Sequence, residues 1–268
     1  MISNAPSLNS SMAATSQGAF PVLGVRVDAL QIPDVIQFME ASIHARQPTH
    51  YIAVTGMHGV TEALHDSSFR RILNQASLNV PDGYPLVVLG RRKGFRLARR
   101  VYGPELMYSF CHNTAHRGYR HFFYGGAPGV ADDLARRFVD QFSGLRSVGT
   151  LSPPYRRLLP DEEAQICETI NSARPDVLWV GLSTPKQEKW MAGFRERLRV
   201  PVMVGVGAAF DFHSGRLNQA PAWMRENGLE WCFRLFQEPK RLWRRYLLGG
   251  SEFVFNVALQ ELGLRKFD

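Results

Sequence analysis

Cysteine is scarce in this 268-residue chain. The three that occur, Cys111, Cys167 and Cys232, are widely spaced and form neither a CxxC pair nor a metal-ligand pattern with the eight histidines. A disulfide framework and a structural zinc site are thereby excluded as organising devices, and reduced, partly buried thiols are expected. Long apolar runs are missing as well. Segments such as Val200–Phe212 are interrupted by glycine and fall short of the roughly 18 apolar residues of a membrane span, so they read as buried strands. No basic start followed by an apolar core marks a secretory signal, so a cytoplasmic protein is expected. The Walker lysine pattern and a complete GxGxxG are also absent, which argues against a P-loop enzyme and a Rossmann-type dehydrogenase. There is no internal repeat.

Positive charge is abundant: 32 Lys and Arg against 24 Asp and Glu give a net +8. Such a balance suits nucleic acid, anionic lipid or a phosphorylated substrate. Its placement narrows the choice. Arg91, Arg92, Lys93, Arg96, Arg99 and Arg100 form one cluster. Arg225, Arg234, Lys240, Arg241, Arg244 and Arg245 form a second, interleaved with Trp223, Trp231, Phe233, Phe236, Trp243 and Tyr246. Basic and aromatic residues on short helices fit a lipid–water interface, where rings sit at headgroup level and cations meet phosphate. They equally fit a solvated basic helix with a buried aromatic face. Nucleic acid is not expected as a partner, because charge is the only feature in its favour and no recognition motif accompanies it.

Residues 1–19, rich in Ser, Asn and Ala and without periodicity, read as a disordered leader. Strands and helices then alternate. Strands are expected at Val22–Val27, Tyr51–Thr55, Ser77–Val80, His121–Tyr124, Asp176–Leu182 and Pro201–Val206. Helices are expected at Ile32–Ala45, Val60–Gln75, Glu105–His116, Val130–Phe142, Asp161–Ala173 and Lys186–Leu198. The repeated βα order predicts an α/β fold: a Rossmann-like, mainly parallel sheet with helices on both faces, spanning residues 20–212. Beyond it, residues 213–268 read as a helical C-terminal appendage, with pieces at Ala222–Trp231, Trp231–Leu248 and Ser251–Leu264.

Ligands of open α/β sheets sit beyond the carboxyl ends of the strands. Thr55, Asp82, Gly125, Gly126, Ser183 and Thr184 fall at such ends, and Asp211 follows Pro201–Phe210. Asp82, in Pro81-Asp82-Gly83, reads either as a turn aspartate or as a general base. Gly125–Gly129 reads as a plain strand-to-helix turn or as a phosphate cradle. Pro185 suits a helix start, which puts Gln187 in the first turn. His58 is a second base candidate, since an unperturbed imidazole titrates near 6.5.

In order along the chain, these segments resemble the WecG/TagA/CpsF glycosyltransferases, also called glycosyltransferase family 26, from about Val22 to Arg245. The resemblance rests on the loop opened by Thr55, on Leu78-Asn79-Val80-Pro81-Asp82-Gly83 and on Val101-Tyr102-Gly103-Pro104-Glu105-Leu106. It continues through Phe122-Phe123-Tyr124-Gly125-Gly126, Gly181-Leu182-Ser183-Thr184-Pro185-Lys186-Gln187-Glu188, Val206–Phe212 and Gly228-Leu229-Glu230-Trp231. It implies an inverting transfer from a UDP-sugar to a sugar linked through diphosphate to a polyprenol, with no cofactor and no obligatory metal. It assigns the general base to Asp82, pocket roles to Thr55 and Gln187, and diphosphate contacts to Arg234, Arg241, Arg244 and Arg245. The UDP diphosphate is expected at the backbone amides of Gly125 and Gly126. A peripheral site on the inner face of the membrane is implied, and self-association is left open. Two departures stand out. Many members have Asn two residues after the threonine, where this chain has Thr55-Gly56-Met57-His58, and many have Arg where it has Gln219 before Ala220-Pro221. The Gly-Met-His version is similar to the exopolysaccharide-making, GumM-like branch, so glucose is expected as the donor sugar, with N-acetylmannosamine or its uronic acid as the alternative. A non-catalytic sugar-nucleotide-binding module is the rival from another class.

Overall fold

A computed structural model describes residues 18–46 and 48–267. The expected leader lies, but for its last two residues, outside them. The first surprise is local. In place of one strand over Val22–Val27 the chain makes a hairpin, β1 (Ala19–Val22) and β2 (Val25–Asp28), paired antiparallel. The two turn residues, Leu23 (φ 51°) and Gly24 (φ 79°), both take positive φ, which is what a tight turn between right-twisting strands requires.

Helix α1 (Ile32–Ala45) leads to β3 (His50–Thr55). The expected helix over Val60–Gln75 is two: α2 (Met57–His65) and α3 (Ser67–Gln75). Between them Asp66 has extended backbone, and its carboxylate accepts the Phe69 N–H at 3.0 Å, so it caps a new helix instead of continuing the old one. Strand β4 (Leu78–Pro81) follows, then α4 (Tyr84–Arg92), α5 (Gly103–Thr114), β5 (Arg120–Gly125), α6 (Val130–Gln141) and β6 (Arg146–Leu151). The body closes with α7 (Pro160–Ala173), β7 (Val177–Gly181), α8 (Lys186–Phe194), β8 (Val202–Gly205) and α9 (Ala209–His213). The last strand matches the expected Pro201–Val206 to within a residue at each end, and Asp211 lies on a helix rather than at a strand end.

Six strands form one parallel sheet in the order β4-β3-β8-β7-β5-β6. Alternate side chains of each strand enter different layers, as strand geometry demands. Leu178 and Val180 of β7 pack with Phe69, Leu86, Ile170 and Met191 on one face. Val177 and Trp179 pack with Met39, Phe110, Phe138 and Phe210 on the other. Both faces being covered explains why the central strands are apolar throughout. The fold is the expected three-layer α/β arrangement.

The appendage consists of α10 (Ala222–Glu226), α11 (Glu230–Gln237), α12 (Pro239–Trp243), a wide helical turn at Arg244–Leu248 and α13 (Gly249–Glu261). It folds back over the carboxyl ends of the strands. Phe253 joins the core beside α2, the Leu23 N–H donates to Gln260 Oε1 at 2.6 Å, and His65 lies 2.8 Å from Glu252. Among the described residues no helix is long and apolar enough to cross a membrane.

Candidate active site

The Thr55 carbonyl accepts the Asp82 N–H at 2.9 Å, which ties the turn after β4 to the end of β3. The chain returns past this turn after α4, where the Val101 N–H donates to Pro81 O at 2.8 Å and brings Arg100 and Tyr102 alongside Asp82. From β7 and β8 come Ser183, Thr184, Gly205, Val206 and Gly207, and from α8 comes Gln187. The appendage adds Arg234 and Arg245, and the resulting crevice is lined by Asp82, Tyr102, Thr184, Gln187, Arg234 and Arg245 among others.

Within it Asp82 is partly open as a residue, but its Oδ1 is shielded and accepts no hydrogen bond from the protein. Burial pushes its carboxyl up to about 6. Arg100 pulls the other way, Glu230 adds to the rise, and Arg234 and Arg245 oppose it. A carboxylate with that pKa is ionised at neutral pH yet basic enough to take up a proton, which is the property of a general base.

Gln187 is buried and cannot reorient freely. Its Nε2 donates to Glu188 Oε1 at 3.0 Å and its Oε1 accepts the Gly207 N–H at 3.0 Å. Glu188 also takes the Thr184 hydroxyl at 2.8 Å, and burial raises its pKa. Gln187 therefore presents a fixed amide edge to the crevice.

Other expected site residues fall into different places. Thr55 is buried and its hydroxyl donates to Asn79 Oδ1, so its contribution here is the carbonyl that holds Asp82. His58 borders a neighbouring crevice with Arg241, Arg244 and Arg245. Burial, with Arg245 adding to it, lowers its pKa to about 4, which leaves the imidazole neutral and a weak base at pH 7. Asp211 lies outside the crevice lining, and burial raises its pKa. Arg234 and Arg245 reach Asp82's crevice, whereas Arg241 and Arg244 do not.

Gly125 and Gly126 have a packing explanation. A Cβ on Gly125 would stand 2.5 Å from Gly181 O, and one on Gly126 would stand 2.7 Å from Val130 Cβ. The Gly126 N–H is already donated to Gly181 O at 3.0 Å. That amide is engaged with the Gly181 carbonyl, and neither glycine lines the crevice of Asp82.

Sequence reasoning counted Arg100 only as part of a charge cluster and left Tyr102 and Glu230 without roles. Arg100 forms an ion pair with Glu230, which is buried in α11, and the Tyr102 hydroxyl donates to Glu230 Oε1 at 2.7 Å. The only advance signal was that Tyr102 and Glu230 lie in segments singled out for other residues. Among the described residues no group of His, Cys, Asp and Glu side chains is arranged to hold a metal ion.

A parallel α/β sheet thus carries a shielded basic carboxylate, a fixed amide and two arginines at its carboxyl edge, an arrangement that suits an enzyme acting on a phosphate-bearing substrate. The comparisons with known proteins make this specific: the chain belongs to the glycosyl transferase WecG/TagA/CpsF family, whose model matches residues 20–267. Relatives include the N-acetylglucosaminyldiphosphoundecaprenol N-acetyl-beta-D-mannosaminyltransferase of Bacillus spizizenii, 30% identical over 75% of this chain and 75% of that one. The protein of the same name from Bacillus subtilis is 26% identical over 76% and 77% of the two chains. That of Staphylococcus aureus (strain MW2) is 26% identical over 91% and 94%. Their names carry the N-acetylmannosaminyl alternative rather than the glucose expected from the Gly56-Met57-His58 loop.

Proposed function

We propose that this glycosyltransferase moves N-acetylmannosamine, with inversion, from its UDP derivative to an N-acetylglucosamine linked through diphosphate to a polyprenol. The observation that carries the reading is Asp82, a shielded carboxylate with its pKa near 6, facing a crevice flanked by Arg234 and Arg245. The relatives' names supply the sugars.

In the proposed reaction an acceptor hydroxyl gives its proton to Asp82 as its oxygen attacks the anomeric carbon. The carbon–oxygen bond to UDP breaks on the opposite face, and the electron pair leaves with the diphosphate. Arg234 and Arg245 offset the charge that develops there, the kind of fixed electrostatic support that counts most in a shielded site. Gln187, held by Glu188 and Gly207, orients a sugar through its remaining amide hydrogen. Asp82 afterwards returns its proton to water, which a group titrating near 6 does readily at neutral pH. The acceptor's polyprenyl chain is taken to lie in a membrane, met by the exposed apolar and basic residues of the appendage.

A second reading, transfer of glucose, is favoured by one observation. By the family resemblance, Met57 stands where many members carry an asparagine, and the adjoining Gly56 lies against Asp82, a Cβ there being 3.8 Å from Asp82 Oδ2. One assay separates the two. Purified protein is given UDP-N-acetylmannosamine, UDP-glucose and other UDP-sugars with polyprenyl-diphosphate-linked N-acetylglucosamine or glucose, and products are weighed and their linkages read. An N-acetylhexosamine added to the N-acetylglucosamine acceptor is expected. A hexose product sinks the N-acetylmannosamine assignment, and binding of UDP without any product favours the non-catalytic module.

A further inference from the structure

Arg100 lies beside the proposed base, yet it makes no ion pair with it. The guanidinium is held on three sides. Its Nη2 is paired with Glu230 Oε2, its face lies 4.1 Å from the centroid of the Tyr102 ring, and its Nη1 donates to the Asp82 carbonyl oxygen at 3.4 Å. The second oxygen of Glu230 is taken by the Tyr102 hydroxyl. Glu230 is 6% exposed and is carried in by α11, so a buried appendage carboxylate fixes a cation of the α/β body. Among the described residues no cation lies within ion-pair distance of the Asp82 carboxylate, whose Oδ1 is left unpaired.

We infer that Glu230 is a positioning residue for Asp82: it holds the Arg100 guanidinium away from the Asp82 carboxylate and so keeps that carboxylate free to accept a proton. The inference rests on the reading of Asp82 as the base and adds what makes it one. An aspartate paired with arginine has its pKa lowered by roughly 1–3 units and becomes a poorer base. The charged and titratable groups facing Asp82 are Arg100 and Tyr102 from the loop before α5, Glu230 and Arg234 from α11, and Arg245 from the turn after α12. Neutralising Glu230 removes the one anion among them and frees Arg100 at the same time. Both changes stabilise ionised Asp82, so they act in one direction.

The test uses the full chain and two readouts. Carboxyl-labelled aspartate is followed by carbon NMR, with the Asp82 signal assigned as the one missing from Asp82→Asn, and the pH dependence of transfer is measured in parallel. In Glu230→Gln the Asp82 midpoint is expected to fall by about 1 unit or more. The rate constant kcat should fall roughly tenfold while donor KM moves by less than about threefold. In Arg100→Gln/Glu230→Gln, which removes both partners of the ion pair and so spares the fold an unpaired charge, the midpoint is expected to rise again. An Asp82 midpoint unmoved in Glu230→Gln, or a double variant that shows no recovery, overturns the inference. Should Glu230→Gln fail to fold, Tyr102→Phe reads the same midpoint: a smaller downward shift supports the proposal and none refutes it. Full transfer by Asp82→Asn would instead remove the reading of Asp82 as the base. The NMR midpoints would still report whether Glu230 governs that carboxylate.

Discussion

Asp82 loads the folded protein with a cost that the proposed chemistry explains. Its pKa near 6 lies above the value of roughly 3.9 of an aspartate in an unfolded chain, so the folded state holds the proton more tightly. By linkage, stability contributed by the protonated form is present below about 3.9 and is lost as pH rises towards 6. At pH 7 the ionised carboxylate costs about 1–3 kcal/mol, taking a two-unit shift as the upper bound. Asp82→Asn removes that cost. Its Tm is expected to exceed the wild type's at pH 7, by about 2–4 °C per kcal/mol, and to approach it at pH 3.5. Melting curves at the two pH values check this, and a Tm at pH 7 equal to or below wild type contradicts it. Gln187 shows the complementary case. It is fully held, by Glu188 on one side and Gly207 on the other, and its contribution is geometry rather than charge.

The appendage helices are exceptional among the elements. They leave Phe236 at 87% exposure, Phe255 at 64% and Leu248 at 58%, beside the exposed cations Lys240, Arg241 and Arg244. Exposed apolar side chains interleaved with cations suit the proposed lipid–water interface. Their other faces are spent on docking, through Leu242, Phe253 and the Glu230–Arg100 pair. The segment's own aromatics are not on the docked face: Trp223, Trp231, Phe236 and Trp243 are exposed, so the expected alternative of a buried aromatic face does not hold. If the outer face meets a membrane, Phe236→Ser/Leu248→Ser/Phe255→Ser should weaken binding to anionic vesicles at least tenfold, since each such side chain is worth roughly 1.5–3 kcal/mol when fully buried. Vesicle co-sedimentation measures it, and undiminished binding counts against a membrane-facing appendage. Element boundaries follow the same logic of local competition. The α4 segment Tyr84-Pro85-Leu86-Val87-Val88-Leu89-Gly90 is a short apolar run that periodicity cannot assign. Strand β6, Arg146–Leu151, is half-exposed at the sheet edge and too polar to stand out. Both escaped the sequence reading for those reasons.

At the scale of the molecule, the sheet was legible because βα alternation and apolar strands follow directly from a core covered on both faces. The turn at Leu23-Gly24 and the cap at Asp66 were not, since each depends on one or two residues within an otherwise continuous pattern. The candidate crevice was legible where a lining residue stands at a strand end, as with Asp82, or in the first turn of a helix, as with Gln187. It was illegible where it depends on which partner a residue meets. Sequence leaves open that Thr55 gives its hydroxyl to Asn79, that Gly126 gives its amide to Gly181, and that Glu230 crosses from the appendage to reach Arg100. One carboxylate, enclosed jointly by body and appendage, is therefore the centre of the proposed chemistry. The most direct measurement is turnover by Asp82→Asn beside its affinity for UDP. Transfer is expected to fall by roughly 10²–10⁴-fold with UDP binding retained, whereas near-normal turnover by Asp82→Asn would contradict Asp82 as the base.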